Sequence, residues 1–126
     1  VSATARLADS LLVTGFPYDF QDHLPTLITR FTNCLIAARG VRRLGAAALD
    51  LCYVACGRFD GFWELNLKPW DIAAAQCIIQ EAGGRITDFA GKDRVLDTGN
   101  TIAANAHVYD HMANIIQDTF RGVVEQ

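Results

Sequence analysis

The sequence predicts an α/β protein, built as a layered mixed sheet of about five strands covered by helices. Short apolar runs alternate along the chain with longer segments in which apolar residues recur at helical spacing. Glycines separate most of these segments, and the composition, 51% hydrophobic and 20% charged, is that of a globular protein. The 126 residues are enough for one hydrophobic core without disulfide or metal support, so a single domain over residues 1–126 is expected.

The first strand and the first helix are predicted between Leu11 and Gly40. The run Leu11-Leu12-Val13-Thr14-Gly15 is short, apolar and closed by Pro17 two residues later, which is typical of a buried strand. Asp22 is expected to cap the following helix, because an Asp side chain accepts hydrogen bonds from the free N–H groups of a first turn. Gly40 is expected to end that helix.

The second strand and helix surround Gly45. A strand near residues 41–44 leads to this glycine, and a helix is predicted over residues 46–56. Asp50 is the only charge between Gly45 and Gly57, so both sides of the helix are apolar. A helix that is apolar all round is expected to be packed on more than one side.

The third strand and helix occupy residues 59–82. Phe59–Leu65 predicts a strand, although Asp60-Gly61 could instead form a hairpin turn. A helix is predicted over Trp70–Ala82, where Gly83-Gly84 ends it.

The last third of the chain predicts two short strands and a final amphipathic helix. The strands are expected near residues 85–88 and 101–105, on either side of a turn-rich stretch. His107 and His111 are four residues apart and could share one face as metal ligands. No glutamate of the metalloprotease pattern accompanies them, and they fall on the polar stripe of the helix, so a solvated face is the preferred interpretation.

Composition excludes several classes of function. The net charge is −3 and no basic run occurs, which argues against a nucleic-acid surface. No apolar stretch is long enough for a membrane span, and the first residues lack the layout of a signal peptide. Dinucleotide-binding, P-loop and serine-hydrolase glycine patterns are also missing from the sequence.

The cysteines, at positions 34, 52, 56 and 77, all have apolar neighbours. A disulfide framework or a zinc site is possible in principle, but no Cys-x-x-Cys pair occurs, and buried free thiols are the preferred interpretation. Free thiols fit a reducing, cytoplasmic location.

Asp71 and Glu64 are the first candidates for chemistry. Asp71 opens a small-residue helix, where a carboxylate is either a structural cap or an oxygen ligand for Mg²⁺. Glu64 ends an apolar strand seven residues earlier, and strand ends and helix starts face the same crevice in α/β sheets. Glu64 is therefore either a solvated charge or an acceptor for a polyol hydroxyl. Asp88, Asp93 and Asp97 are scattered through a loop and suit turns.

The junction Gly45-Ala46-Ala47 is a further candidate. Backbone N–H groups at a helix start can bind anions or hydroxyl oxygens, although a close-packed turn explains a lone glycine equally well.

Several segments taken together resemble the C-terminal half of the inositol-monophosphatase family of metal-dependent phosphatases. They are Leu12–Pro17, Arg42–Leu51, Gly61–Glu64, Trp70–Ala74 and Glu81–Gly84. Trp-Asp-x-Ala-Ala followed by Glu-Ala-Gly-Gly is specific to this superfamily, which includes histidinol-phosphate, fructose-1,6-bisphosphate and nucleoside-bisphosphate phosphatases. The resemblance implies the C-terminal half of the αβαβα sugar-phosphatase fold.

The resemblance also implies roles for the candidate residues. Asp71 would be a catalytic ligand of Mg²⁺, Glu64 would contact the inositol ring, and the turn with Gly45, Ala46 and Ala47 would approach substrate hydroxyls. The expected activity is Mg²⁺-dependent, lithium-sensitive hydrolysis of inositol monophosphate or a similar small sugar phosphate, usually by a homodimer.

Two departures from the family pattern qualify this expectation. Ala46 stands where the family commonly has Ser or Thr, so one hydroxyl contact with the substrate is missing. The glutamate pair and the Asp-Pro-x-Asp-Gly-Thr segment of the family's N-terminal half do not occur in residues 1–126. We therefore expect the chain to be inactive by itself and to need that half, upstream or on another chain. A non-catalytic dimerisation or interaction domain is the alternative.

Overall fold

A mixed five-stranded sheet forms the centre of the protein in a computed structural model, which describes residues 1–125 and the side chains of residues 1–119. The strands are β1 (Leu11–Thr14), β2 (Gly40–Arg42), β3 (Gly61–Glu64), β4 (Arg85–Thr87) and β5 (Thr101–Ala104). Their order across the sheet is β2-β1-β3-β5-β4. The first three strands are parallel to one another, and β5 is antiparallel to both β3 and β4. The predicted α/β class with a mixed sheet is confirmed.

Helices connect the strands and cover both faces of the sheet. They are α1 (Leu24–Ala37), α2 (Ala47–Ala55), α3 (Pro69–Glu81), the short α4 (Val95–Thr98) and α5 (Tyr109–Glu125). Single 3₁₀ turns at Leu7–Asp9 and Phe20–His23 precede β1 and α1. Parallel strands need such crossover connections, because a tight hairpin can join only antiparallel neighbours.

Two apolar clusters sandwich the sheet because successive strand side chains point to opposite faces. Val13 and Phe62 face α2 and α3, where they pack with Leu51, Val54, Ile72 and Ile79. Leu12 and Trp63 face the other way and pack with Cys34 of α1 and with Met112 and Ile116 of α5. The result is a three-layer arrangement in which α2 and α3 lie on one side and α1 and α5 on the other.

Local chemistry explains the element boundaries that the sequence predicted well. Gly83 has φ +85° and ends α3, and the Gly84 N–H donates to the Ile79 carbonyl at 2.9 Å. Asp60-Gly61 does not form a hairpin turn: Gly61 begins β3, which runs parallel to β1. Asp60 instead accepts a hydrogen bond from the Leu11 N–H at 2.7 Å, which aligns the start of β1.

The expected boundaries of the first helix are wrong at both ends. Asp22 lies inside the 3₁₀ turn rather than capping α1, and Pro25 in the first turn has no N–H to be capped. At the other end α1 stops at Ala37, and Gly40 is already the first residue of β2. The Arg39 N–H donates to the Ser10 carbonyl at 3.0 Å, which draws the chain into the sheet before the glycine is reached.

Burial agrees with the sequence for α2 and corrects it for the cysteines. Helix α2 packs against both α3 and the sheet through Leu51, Val54 and Ala55. Ala48 and Leu49 are exposed, Leu49 by 55%. The cysteines are free as predicted, but only Cys34 is buried, whereas Cys56 and Cys77 are exposed. Among the described residues, no helix is both long enough and apolar enough to cross a membrane.

Candidate functional site

A cleft of about 640 Å³ opens at the carboxyl ends of the parallel strands. Its walls come from the loops that follow β1, β2 and β3 and from the first turns of α2 and α3. This is the edge of an α/β sheet at which ligands usually bind. The residues to which the resemblance gives roles all line this cleft: Gly45, Ala46, Ala47, Glu64 and Asp71.

Asp71 is both a cap and an open ligand. It lies in the first turn of α3, where its Oδ2 accepts a hydrogen bond from the Lys68 N–H at 3.0 Å. Its backbone N–H donates in return to the Lys68 carbonyl at 2.9 Å. Within the part of the chain that the structure describes, Oδ1 makes no hydrogen bond. Capping of α3 and binding of a metal ion would therefore use different oxygens of the same carboxylate.

Glu64 ends β3 with its side chain half-buried against the start of the loop after β1. Gly15 leaves the room for it, since a Cβ at that position would overlap the carboxyl, with Cδ only 2.8 Å away. The pKa of Glu64 is raised to about 7, mainly because burial disfavours the charged form. The charges of Asp50 and Asp71 add to this rise, and Arg43 opposes it.

Asp50 is a buried acid behind the cleft whose importance the sequence analysis missed. It is 1% exposed, and neither carboxylate oxygen has a hydrogen-bond partner among the described residues. Burial raises its pKa to about 6, and the charge of Arg43 limits the rise. Ala46 and Ala47 precede it by about one helical turn, so Asp50 lies on the cleft side of α2. In the sequence, the feature that could have indicated its importance is that Asp50 is the only charged residue in an apolar helix.

The turn before α2 exposes backbone N–H groups to the cleft. Gly45 has φ +95°, a conformation that favours glycine, and it redirects the chain from β2 into the helix. Ala46 has no side-chain acceptor, so the first turn of α2 has no side-chain cap. The first intrahelical bond runs from the Asp50 N–H to the Ala46 carbonyl at 2.9 Å. The N–H groups before it remain available to a ligand.

Basic and aromatic residues complete the walls, and the sequence analysis did not select them. Arg43 and Lys68 line the cleft, and the Arg43 guanidinium lies 5.8 Å from the ring centre of Phe16. Phe20 and the fully exposed Tyr18 extend this wall. Asn66 lies between Glu64 and Lys68 in the loop before α3. Their common signal is position, since they lie near the ends of predicted strands and the starts of predicted helices.

The remaining polar candidates lie outside the cleft. Asp93 accepts a hydrogen bond from Gln76, and Asp88 accepts one from the Lys92 N–H at 2.8 Å, as turn residues do. Asp97 of the short α4 pairs with Arg94, the residue just before that helix. His107 and His111 are both exposed, but His107 lies in the turn before α5 rather than on the helix, so the two do not share a helix face.

The donor set of the described residues is too small to hold a metal ion by itself. Among them, no group of three His, Cys, Asp or Glu side chains is arranged as a metal site. Mg²⁺ prefers oxygen ligands, which Asp71 Oδ1 can supply, but it needs further ligands around it. The cleft therefore fits part of a magnesium site.

Comparison with known proteins decides the family. The inositol monophosphatase family model matches residues 1–121. The chain belongs to the inositol monophosphatase family. Its sheet, its cleft and the position of Asp71 at the start of α3 are thus features of a family member.

Individual relatives carry different names. A Neisseria meningitidis protein named "Putative Nus factor SuhB" is 49% identical over 116 residues, 92% of this chain and 44% of that protein. An "Inositol-1-monophosphatase" from Mesorhizobium japonicum is 44% identical over 105 residues, 83% of this chain and 40% of that protein. The inositol monophosphatase structure from Anabaena superposes with a TM-score of 0.88 at 40% identity, covering 94% of this chain and 47% of that one. The chain spans about half the length of the relatives it matches.

Proposed function

We propose that this chain contributes the substrate-binding part of an Mg²⁺-dependent phosphatase that hydrolyses inositol monophosphate or a similar small sugar phosphate. The observation that supports this most directly is the single cleft that collects Asp71, Glu64 and the turn from Gly45 to Ala47. Membership of a phosphatase family and the open Oδ1 of Asp71 point in the same direction. The remaining metal ligands would come from residues outside these 126, on the same polypeptide or on another chain.

Each cleft residue has a role that its geometry permits. Asp71 would bind Mg²⁺ through Oδ1 while Oδ2 keeps the start of α3 in place. Bound Mg²⁺ would stabilise the negative charge that develops on the leaving-group oxygen. Glu64, with a pKa raised to about 7, can accept a hydrogen bond from a ring hydroxyl or donate one to it at neutral pH. The free N–H groups at Ala47 and the next residues would bind a hydroxyl oxygen.

Replacing Asp71 by Asn in the complete enzyme tests the proposal. Complete enzyme here means the polypeptide or complex that supplies the other metal ligands. Asn keeps an oxygen that can cap α3 but binds Mg²⁺ poorly, so turnover should fall at least about a hundredfold with little change in melting temperature. Asp97→Asn is the matched control, because Asp97 is exposed and outside the cleft. Retained activity in Asp71→Asn would contradict the metal role.

The same assay resolves substrate choice. Phosphate release from inositol monophosphate should be compared with release from histidinol phosphate, fructose 1,6-bisphosphate and a nucleoside bisphosphate. Inositol monophosphate is the expected best substrate, and lithium is expected to inhibit the reaction. If one of the other esters gives a higher kcat/KM, that ester would replace inositol monophosphate as the proposed substrate class.

The 126-residue chain alone should show no phosphatase turnover. A single open carboxylate oxygen cannot organise the ions that stabilise attacking and leaving oxygens together. Purified chain incubated with Mg²⁺ and inositol monophosphate would measure this directly. Magnesium-dependent turnover that elutes with the monomeric chain would refute the expectation.

A Nus-factor-like role as an interaction module is the second candidate. It is favoured by the name of the 49% identical Neisseria relative and by apolar side chains left exposed on α1, such as Ile28 and Leu35. Calorimetric titration of the complete protein with Mg²⁺ separates the candidates. A folded protein that binds no Mg²⁺ and releases no phosphate would support the interaction module.

A cytoplasmic homodimer is the expected setting for either role. Free cysteines, two of them exposed, suit a reducing compartment. Light scattering coupled to size exclusion would report the oligomeric state, and cell fractionation would report the location.

A further inference from the structure

We infer that Asn66 is a specificity-determining residue of the cleft, and that its carboxamide binds hydroxyl groups on a polyhydroxylated ring of the substrate. This inference rests on the proposed phosphatase function. Among the described residues, Asn66 is the only non-glycine residue with positive φ, at +60°. Glycine adopts this conformation freely, whereas a residue with a Cβ does so at a cost that Asn tolerates better than most.

The loop that carries Asn66 is held rigidly from behind. The Asn66 N–H donates to Asn100 Oδ1 at 3.1 Å, and the Leu67 N–H donates to the Gly99 carbonyl at 2.8 Å. Gly99 has φ +72°, and a Cβ there would approach the Leu67 N atom to 3.1 Å and the Leu67 carbonyl more closely still. The turn before β5 therefore fits directly against this loop and fixes the direction in which Asn66 extends.

The carboxamide of Asn66 is left without a partner on the cleft side. Asn66 is exposed and lines the cleft beside Glu64, and its side chain makes no hydrogen bond within the described residues. A carboxamide offers two N–H donors and one oxygen acceptor. Asn66 thus adopts a backbone conformation that suits glycine, and the fold does not use its carboxamide. Such a residue is well positioned to bind a ligand.

The composition of the other walls identifies the ligand chemistry. Ala46 and Ala47 present only methyl groups, and Phe16 and Phe20 are apolar, so their side chains cannot read hydroxyl positions. Arg43 and Lys68 are cations that favour anionic groups. Directional recognition of neutral hydroxyls is left to the side chains of Glu64, Asn66 and Tyr18, together with the backbone N–H groups at the start of α2. A hydroxyl can both donate and accept a hydrogen bond. Two adjacent hydroxyls on a ring can therefore form hydrogen bonds with a carboxamide and with a neighbouring carboxyl group.

The test compares two substrates in the complete enzyme. Inositol monophosphate carries ring hydroxyls, whereas phenyl phosphate carries none. Asn66→Gly removes the carboxamide but keeps a residue that accepts φ +60°, so the loop is preserved. The kcat/KM for inositol monophosphate should fall about tenfold, the effect of one or two hydrogen bonds. The kcat/KM for phenyl phosphate should stay within about twofold of wild type.

A matched control separates recognition from loop structure. Asn100→Ala removes the acceptor of the Asn66 N–H and loosens the loop while leaving the Asn66 carboxamide in place. It should lower kcat/KM for inositol monophosphate by less than Asn66→Gly does, because the carboxamide is kept but less well oriented, and kcat/KM for phenyl phosphate should stay within about twofold of wild type. Melting temperatures of both variants report whether the fold is intact, and Asn66→Gly is expected to melt no lower than wild type.

The outcomes are distinct. A wild-type enzyme that hydrolyses neither phosphate ester overturns the proposed function and this inference with it. An active wild type in which Asn66→Gly changes neither substrate, or changes both equally, overturns the role of Asn66 alone.

Discussion

Replacing Asp50 by Asn should make the protein more stable at neutral pH and leave its stability nearly unchanged in acid. Asp50 is 1% exposed, and its carboxylate has no hydrogen-bond partner in the part of the chain that the structure describes. Its pKa rises from 3.8 to about 6 in the folded protein. A carboxyl whose folded pKa is raised binds its proton more tightly in the native state. Its contribution is therefore most favourable below pH 4 and is lost as pH rises through about 6.

The size of the effect follows from the two pKa values. Their difference corresponds to at most about 3 kcal/mol at 1.36 kcal/mol per unit, reached above pH 7. The free energy of unfolding of Asp50→Asn relative to wild type should thus increase by about 2 kcal/mol between pH 4 and pH 7.5. Comparing the change across pH cancels the cost of burying the Asn amide, which is the same at both values.

Urea unfolding at the two pH values measures this quantity. Because Asp50 also raises the pKa of Glu64, the comparison should be repeated in a Glu64→Gln background to isolate Asp50. Asp97→Asn, which is exposed and paired with Arg94, is the control and should change by less than about 0.5 kcal/mol. A difference between Asp50→Asn and wild type that does not vary with pH would refute the reasoning.

Two further substitutions test the surroundings of the cleft. Gly15→Ala places a Cβ against the Glu64 carboxyl, and the flexible end of Glu64 should move away from its position in the cleft. The KM of the complete enzyme should therefore rise about tenfold. Gly40→Ala is the control and should leave KM unchanged, since the nearest neighbour of the added Cβ is the Arg42 Nη1 at 3.3 Å. Thr101→Val removes a buried hydroxyl that has no hydrogen-bond partner among residues 1–119, so the free energy of unfolding should stay the same or rise by up to about 1 kcal/mol. A loss above about 1 kcal/mol would show that the hydroxyl is hydrogen-bonded.

The sequence predicted the layers of the fold because the responsible signals are local. Phe62 and Trp63 are adjacent and apolar, which predicts a strand buried on both faces, and they do enter opposite clusters. Gly83 permits the left-handed conformation that ends α3. Such features depend on a few neighbouring residues, so they can be read without the tertiary structure.

Features that depend on distant parts of the chain could not be predicted. Arg30 falls among apolar residues of α1, yet it is 1% exposed and its guanidinium lies 4.7 Å from the ring centre of Phe89, far along the sequence. Burial lowers its pKa to about 10. The partnership of Asn66 with Asn100 likewise joins residues 34 positions apart. Cleft-lining residues could be predicted where a strand end meets a helix start. The long-range contacts that support them, such as that between Asn66 and Asn100, could not.

Asp71 shows why a sequence pattern could not choose between cap and ligand: the residue is positioned to be both. Oδ2 is occupied by the Lys68 N–H, and the same bond orients Oδ1, so capping fixes the direction in which a metal would be bound. Asp71→Ala removes both functions, whereas Asp71→Asn removes only the ligand. Asp71→Ala should therefore unfold about 1 kcal/mol more easily than Asp71→Asn, while the two variants are equally inactive in the complete enzyme. Equal stability of the two variants, measured by urea unfolding, would mean that the cap contributes nothing and that Asp71 is oriented by other contacts.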